Sequence, residues 1–279
     1  MDVMWFADIG QTSLPQVGGK AASLGELARL SEPVPSGFVI STSVYHTGLT
    51  PDICDHILKS FDKLGASHVA VRSSAVAEDS VDASWAGQLE SYLNVERNGV
   101  IAAVKDCWNS MESKRAEEYA SRNQVTHDHR AVAVIVQKMV DSELAGVMFT
   151  ANPVTQEREQ VVIEAVRGLG ELLVQGAETP ESLIIDKSSG KVVEHSLGAQ
   201  SNMLIYRDGL NVVVPVPADM KEDTLLVPSL IHKLMQSAIK IEGHYRVPQD
   251  IEWAVQKKQL FIVQSRPIST MKAQDVKKA

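Results

Sequence analysis

The sequence predicts an α+β protein built as two lobes, and three observations carry that expectation. The chain has 279 residues, room for two domains at roughly 150 residues each. Its apolar share of 44% and charged share of 22% are those of an ordinary folded globular chain. Apolar residues recur at helical spacing in much of the first part, whereas the later part is richer in short strand-like runs. The change falls near residues 125–129, which sets the expected boundaries at 1–127 for the first lobe, 128–270 for the second and 271–279 for a polar tail.

Taken in order, Ala21, Leu24, Leu27 and Ala28 follow Gly18-Gly19 at helical spacing, so a helix is expected to start near Lys20. Residues 37–42 read as a strand. Thr50-Pro51-Asp52 is a helix start, with a hydroxyl to cap and a proline suited to the first helical position. Ile53, Ile57, Phe61 and Leu64 form its buried stripe. Residues 68–73 read as a strand running into a loop of small residues, 73–87, and 90–95 as another strand. Val100, Val104, Trp108 and Met111 place a helix from about 98 toward 122.

In the second lobe, 131–140 and 144–151 flank Asp141-Ser142-Glu143 and read as a hairpin-like pair. Strands are expected at 160–165, 181–186, 192–197 and 212–216. Leu230, Leu234, Ala238 and Ile241 mark a late helix, and 250–255 with 260–265 form a closing hairpin.

Composition excludes several classes of function. With 27 basic and 35 acidic residues the formal charge is −8, ill suited to non-specific nucleic-acid binding, which needs cations to neutralise phosphates. Cys54 and Cys107 form no C-x-x-C pair, so neither a disulfide framework nor a zinc site is expected, in keeping with a reducing cytoplasm. The longest strictly apolar run, 131–136, is far short of a membrane span. Asp2 and Asp8 stand where a secretory signal would be basic.

Three places could carry chemistry. Gly18-Gly19-Lys20 opens backbone N–H groups to an anion and adds a point charge; the same pattern serves as a plain helix start with a solvated lysine. It is not a P-loop, because Leu14 and Ala21 stand where Gly and Ser or Thr are required. Arg72 interrupts an apolar strand, and its planar fork suits either phosphate oxygens or a structural pairing with Glu78 or Asp79. Gln137-Lys138-Met139-Val140 ends an apolar strand whose backbone could meet a purine edge, as could any strand end.

The closing hairpin says more. Asp250, Glu252, Gln264 and Arg266 are all even-numbered, and residues two apart share a strand face. If opposed residue numbers sum to 516, which a three-residue loop at 257–259 gives, Glu252 faces Gln264 and Asp250 faces Arg266. A slip of one residue would put the two pairs on opposite faces. One face then carries oxygen ligands of the kind Mg²⁺ prefers, beside a guanidinium; otherwise it is a solvated face with an ion pair. The alternating Ile251, Trp253, Phe261 and Val263 are expected to pack the other side.

Together the motifs do what none does singly. Gly18-Gly19-Lys20, Arg72-Ser73-Ser74-Ala75 with Glu78-Asp79, Ala83-Ser84-Trp85-Ala86-Gly87-Gln88, Gln137-Lys138-Met139-Val140, Gly168-Leu169-Gly170-Glu171 with Val174-Gln175-Gly176, Asp250-Ile251-Glu252-Trp253 and Gln264-Ser265-Arg266-Pro267 occur in this order. In this the chain resembles the N-terminal nucleotide-binding domain of the phosphoenolpyruvate synthase and pyruvate, phosphate dikinase family, over about residues 14–269. Rifampicin phosphotransferase carries a related domain.

The resemblance implies an ATP-grasp fold, two α+β lobes with the nucleotide in the cleft between them, using ATP and Mg²⁺. It implies that Lys20, Arg72 and Arg266 contact the phosphates and that the loop at Gly87 covers them. Gln137 and the backbone of Met139 and Val140 would lie by adenine and ribose. Glu252 and Gln264 would hold Mg²⁺, with Asp250 close by. In the family ATP pyrophosphorylates a histidine on a swivelling domain, AMP leaves, and the carried phosphate reaches pyruvate on a further acceptor domain.

Two departures stand out. The stretch between Thr42 and Val69 is short for a phosphoenolpyruvate synthase, and none of the eight histidines, His46, His129 and His195 among them, lies in the carrier motif. The chain is therefore expected to bind and activate ATP but to need a phosphohistidine domain and an acceptor-binding domain to complete a cycle, in the same parent chain or as separate subunits. The other functions the resemblance leaves open are the ATP domain of an antibiotic phosphotransferase and a free-standing nucleotide-binding regulatory module.

Overall fold

A computed structural model of the chain describes residues 1–76, 79–80, 83–84, 91–111 and 131–271, with backbone alone for 79–80, 83–84 and 111. The expectations at Glu78, Trp85 and Gly87, and for the helix beyond Met111, lie outside the described residues. The chain divides into two compact units, Met1–Met139 and Val140–Ala279.

The first unit is built on an antiparallel five-stranded sheet. Its strands are β1 (Val3–Trp5), β2 (Gly37–Ile40), β3 (Val69–Ala75), β6 (Ser91–Val95) and β7 (Val132–Lys138), in the order β1-β2-β7-β3-β6. Two two-residue strands, β4 (Asp79–Ser80) and β5 (Ala83–Ser84), pair between β3 and β6 in sequence. Helix α1 (Leu14–Arg29) packs on one face, where Val17, Ala21 and Leu24 meet Val39, Ala133 and Ile135. After the short α2 (Thr42–Thr47), α3 (Pro51–Leu64) and α4 (Val100–Met111) cover the other face, burying Ile57, Phe61, Val100 and Val104 against Phe38, Val71, Val134 and Val136. The expected start of α3 is realised: Thr50 Oγ1 accepts the Ile53 N–H at 3.3 Å, and Gly65 ends the helix at φ 63°.

Three expectations are corrected here. Residues 131–140 and 144–151 do not form a hairpin. The first contributes β7, the middle strand of this sheet, bonded to β2 on one side and β3 on the other, while the second belongs to the other unit. β7 is buried on both faces and so takes a central place. The first unit consequently runs to Met139 and does not end at 127. Helix α1 also begins earlier than expected, at Leu14, but it breaks at Gly18 (φ 76°, ψ 170°). Lys20 therefore stands near the start of its second stretch.

The second unit carries an antiparallel six-stranded sheet in the order β11-β10-β9-β8-β14-β15. Its strands are β8 (Leu144–Phe149), β9 (Gln160–Arg167), β10 (Glu181–Asp186), β11 (Val192–Ser196), β14 (Gln249–Gln256) and β15 (Gln259–Pro267). A short α5 (Glu171–Val174) follows β9, and a separate hairpin, β12 (Asn202–Arg207) with β13 (Leu210–Pro215), follows β11. β12 has no counterpart in the sequence-based expectation. Helix α6 (Pro228–Tyr245) buries Leu230, Leu234, Ala238 and Ile241 and packs on β8 and β14.

The closing hairpin keeps the expected register at its open end by an unexpected route. Asp250 opposes Arg266 and Glu252 opposes Gln264, but Trp253 opposes Ile262 and Gln256 opposes Gln259. The loop is therefore the two-residue Lys257-Lys258, both left-handed (φ 50° and 64°), the backbone of a type I′ turn. Val263 is the extra residue of a β-bulge. The bulge changes which residues face the core: Leu260 and Ile262 are buried, where Phe261 and Val263 were expected.

Candidate nucleotide site

The candidate residues of the first unit share one sheet face. Ala70, Arg72 and Ser74 of β3 oppose Gln137, Ile135 and Ala133 of β7, and Ile135 and Ala133 lie in the core beneath α1. Arg72 is half-buried in a strand otherwise buried throughout. From α1, Lys20 Nζ reaches the Ser73 carbonyl at 3.5 Å. The structure thus brings Lys20 to the strand that carries Arg72. Gln137 is on the same face but is spent internally: it is 2% exposed and its Nε2 donates to the Pro35 carbonyl at 3.3 Å. The Met139 N–H is also committed, donating to the His68 carbonyl at 3.1 Å.

The candidate residues of the second unit come together more tightly. Gln264 Nε2 donates to Glu252 Oε1 at 3.0 Å. Arg266 Nε donates to Asp250 Oδ2 at 2.9 Å, and Nη2 lies 2.8 Å from the same oxygen in an ion pair. All four side chains lie on one sheet face by register. Apolar core fixes that orientation from behind: Ile251 and Trp253 are 0% and 1% exposed, and Trp253 lies over Gly146 of β8, where no side chain would fit beneath the indole.

Carboxylates are concentrated on this face. Burial pushes the Asp250 carboxyl above its ordinary range; Arg266 opposes that and the Glu252 charge adds to it. The sequence reading missed Glu164 of β9. It stands in the same transverse row, opposite Val147, which in turn opposes Glu252. Burial raises the Glu164 pKa, and the Asp250 charge raises it further. Its signal in the sequence was a single acid in the apolar run 161–166.

The donors present are carboxylate and amide oxygens, the set a hard divalent cation such as Mg²⁺ takes. Among the described residues no three His, Cys, Asp or Glu side chains form a metal cage, so the fit is to an open site. Glu252 and Gln264 would supply protein ligands, and water and a bound anion the rest. Gln264 now presents its NH₂ to Glu252; a half-turn of the amide presents Oε1 instead.

Comparison with known proteins decides the family. Residues 44–279 match the pyruvate phosphate dikinase, AMP/ATP-binding domain model. The chain belongs to that family. A probable phosphoenolpyruvate synthase of Archaeoglobus fulgidus is 39% identical over 319 residues, aligning 98% of this chain with 42% of its own length. One from Methanothermobacter thermautotrophicus is 35% identical, aligning 96% of this chain with 46% of its own. The chain thus spans less than half the length of either relative. Among solved structures, a D-alanine–D-alanine ligase from Helicobacter pylori matches 90% of this chain and 54% of its own at 8% identity and a TM-score of 0.44, a likeness that carries no functional weight. No helix among the described residues is long and apolar enough to cross a membrane.

Proposed function

We propose that this chain is the ATP-binding, phosphoryl-donating domain, of ATP-grasp type, of a phosphoenolpyruvate synthase (pyruvate, water dikinase)-like enzyme, working with Mg²⁺ in the cytoplasm. The observation that carries this reading is the packed polar face where Glu252 meets Gln264 and Asp250 meets Arg266. Its oxygen donors and guanidinium match the two needs of a metal-bound polyphosphate, on a chain whose family is named for AMP and ATP binding.

Each residue then has a task. Lys20 and Arg72 neutralise phosphate oxygens. Asp250 holds one edge of the Arg266 guanidinium and so fixes the plane in which it meets the transferring phosphates. The purine edge is read by the Met139 carbonyl and the Val140 N–H, because the Met139 N–H is engaged by His68. Mg²⁺ held by Glu252 and Gln264 would neutralise charge on the phosphates as a Lewis acid. The protein's own part is positioning and charge compensation, which is most of what phosphoryl transfer asks. The acceptor is a histidine of a separate domain, and an acceptor-binding domain receives the phosphate for pyruvate.

Calorimetric titration of the whole chain tests this. ATP is expected to bind with Mg²⁺ and to lose at least about tenfold in affinity in Glu252→Ala and in Arg266→Ala, both variants remaining folded by circular dichroism. Unchanged affinity in both would overturn the assignment.

A further inference from the structure

Within the first unit one buried hydroxyl ties the lysine-bearing turn to the arginine-bearing strand. Helix α1 breaks at Gly18, so the run that follows is a new helix with Gly18 as its N-cap and Gly19, Lys20 and Ala21 as its first three residues. An N-cap side chain ordinarily accepts a hydrogen bond from the second or third N–H of the helix, and Gly18 has no side chain to do so. Ser74 of β3 supplies the missing oxygen from outside: its Oγ accepts the Ala21 N–H at 3.1 Å. Ser74 is 0% exposed, so no water can replace it without opening the core.

The close approach explains the glycine. A Cβ on Gly18 would lie 2.5 Å from Ser74 Oγ and would collide with the Ser74 carbonyl, and the φ of 76° is one that side chains resist. Lys20 is the residue immediately before the capped N–H, and its ammonium reaches the carbonyl of Ser73, the residue before Ser74. Ser74 and Arg72 are two apart and share the face on which α1 packs.

We propose that Ser74 is the positioning residue of the nucleotide site: by capping the helix that restarts at Gly18, it holds Lys20 at the end of the strand carrying Arg72. This rests on the reading that Lys20 contacts phosphate. The hydroxyl touches no substrate. It acts through Lys20.

The test uses the whole chain, with MgATP as probe, well below the unfolding temperature. Ser74→Ala is expected to weaken MgATP binding about tenfold. Ser60→Ala, which deletes another buried hydroxyl of the same unit, bonded to the His56 carbonyl, is expected to leave affinity within about twofold. In a Lys20→Ala background, Ser74→Ala is expected to add nothing, since coupled residues are not additive. Full additivity, or wild-type affinity in Ser74→Ala, would overturn the proposal. Hydrogen exchange decides independently of nucleotide. The Ala21 amide of the wild type is expected to exchange as slowly as the interior of α1, although it lies in a first helical turn; fast exchange there would also overturn it. A wild-type chain that does not bind MgATP would count against the proposed function, while the exchange measurement would still judge Ser74.

Discussion

Replacing Arg266 by Ala should show how the polar face is held together. The guanidinium donates one hydrogen bond to Asp250 Oδ2 at 2.9 Å and forms an ion pair with the same oxygen at 2.8 Å, and the two side chains are 35% and 14% exposed. Exposed ion pairs contribute about 0–1 kcal/mol, whereas removing one partner of a buried pair costs about 3–5 kcal/mol, because the survivor is left charged and dry. The Asp250 carboxylate is mostly buried, but the arginine is partly screened by solvent. A cost of about 2 kcal/mol is therefore expected, or a fall in Tm of roughly 4–8 °C for a chain of this size. The assay is thermal and urea unfolding at pH 7 without nucleotide or metal.

The physical cause makes a sharper demand. The penalty is Asp250's stranded charge beside Glu252 and Glu164, so adding Asp250→Asn to Arg266→Ala should restore at least half of the loss. Acid should do the same. Arg266 holds the Asp250 pKa down against burial, and in its absence the carboxyl rises further. The cost is then present at neutral pH and fades as the pH falls through the Asp250 titration. An Arg266→Ala penalty that is unmoved by both Asp250→Asn and acid would refute this account.

Two further outcomes follow from the second unit. Deleting Val263 removes the unpaired residue and leaves a regular ladder in which Glu252 still opposes Gln264 and Trp253 still opposes Ile262; a loss of no more than about 2 kcal/mol is expected by urea unfolding, and failure to fold would contradict the register. Burial raises the pKa of Glu171 above its ordinary value; a folded-state carboxyl that binds its proton more tightly lends stability below the unfolded pKa and loses it as pH rises through the folded one. Glu171→Gln should therefore be at least as stable as wild type at pH 7, with its advantage gone by about pH 4, as read from paired urea curves.

Local chemistry was legible wherever a single element decides it. Thr50-Pro51 specifies its own helix start, and the spacing of Ile53, Ile57 and Phe61 marks the buried side of that helix whatever lies beneath. The even-numbered set Asp250, Glu252, Gln264 and Arg266 was legible for a similar reason, since side-chain period in a strand is a backbone property. Pairing was harder. Asp141-Ser142-Glu143 has turn chemistry, and a turn looks the same whether it closes a hairpin or leads from one sheet to another. β7 is apolar on both faces because α1 covers one and α3 with α4 the other, and nothing local announces two covering layers. Commitments of individual polar atoms were invisible as well: that Gln137 serves Pro35, and the Met139 N–H serves His68, depends on neighbours 102 and 71 residues away in the chain.

The bulge at Val263 shows why the hairpin needs its irregularity. Leu260, Ile262, Gln264 and Arg266 are all even-numbered, so a regular strand would put two aliphatic side chains and two polar ones on the same face. Burying all four would strand a guanidinium in the core, and exposing all four would leave Trp253 uncovered. One extra residue between Ile262 and Gln264 separates the two pairs. Leu260 and Ile262 then turn inward against the Trp253 side, while Gln264 and Arg266 meet Glu252 and Asp250. The two-residue turn at Lys257-Lys258 sets the register at the closed end, and the bulge resets it at the open end. Core packing and the proposed ligand chemistry thus occupy the same two strands, opposite faces of each, and the bulge is the feature that lets one sequence satisfy both.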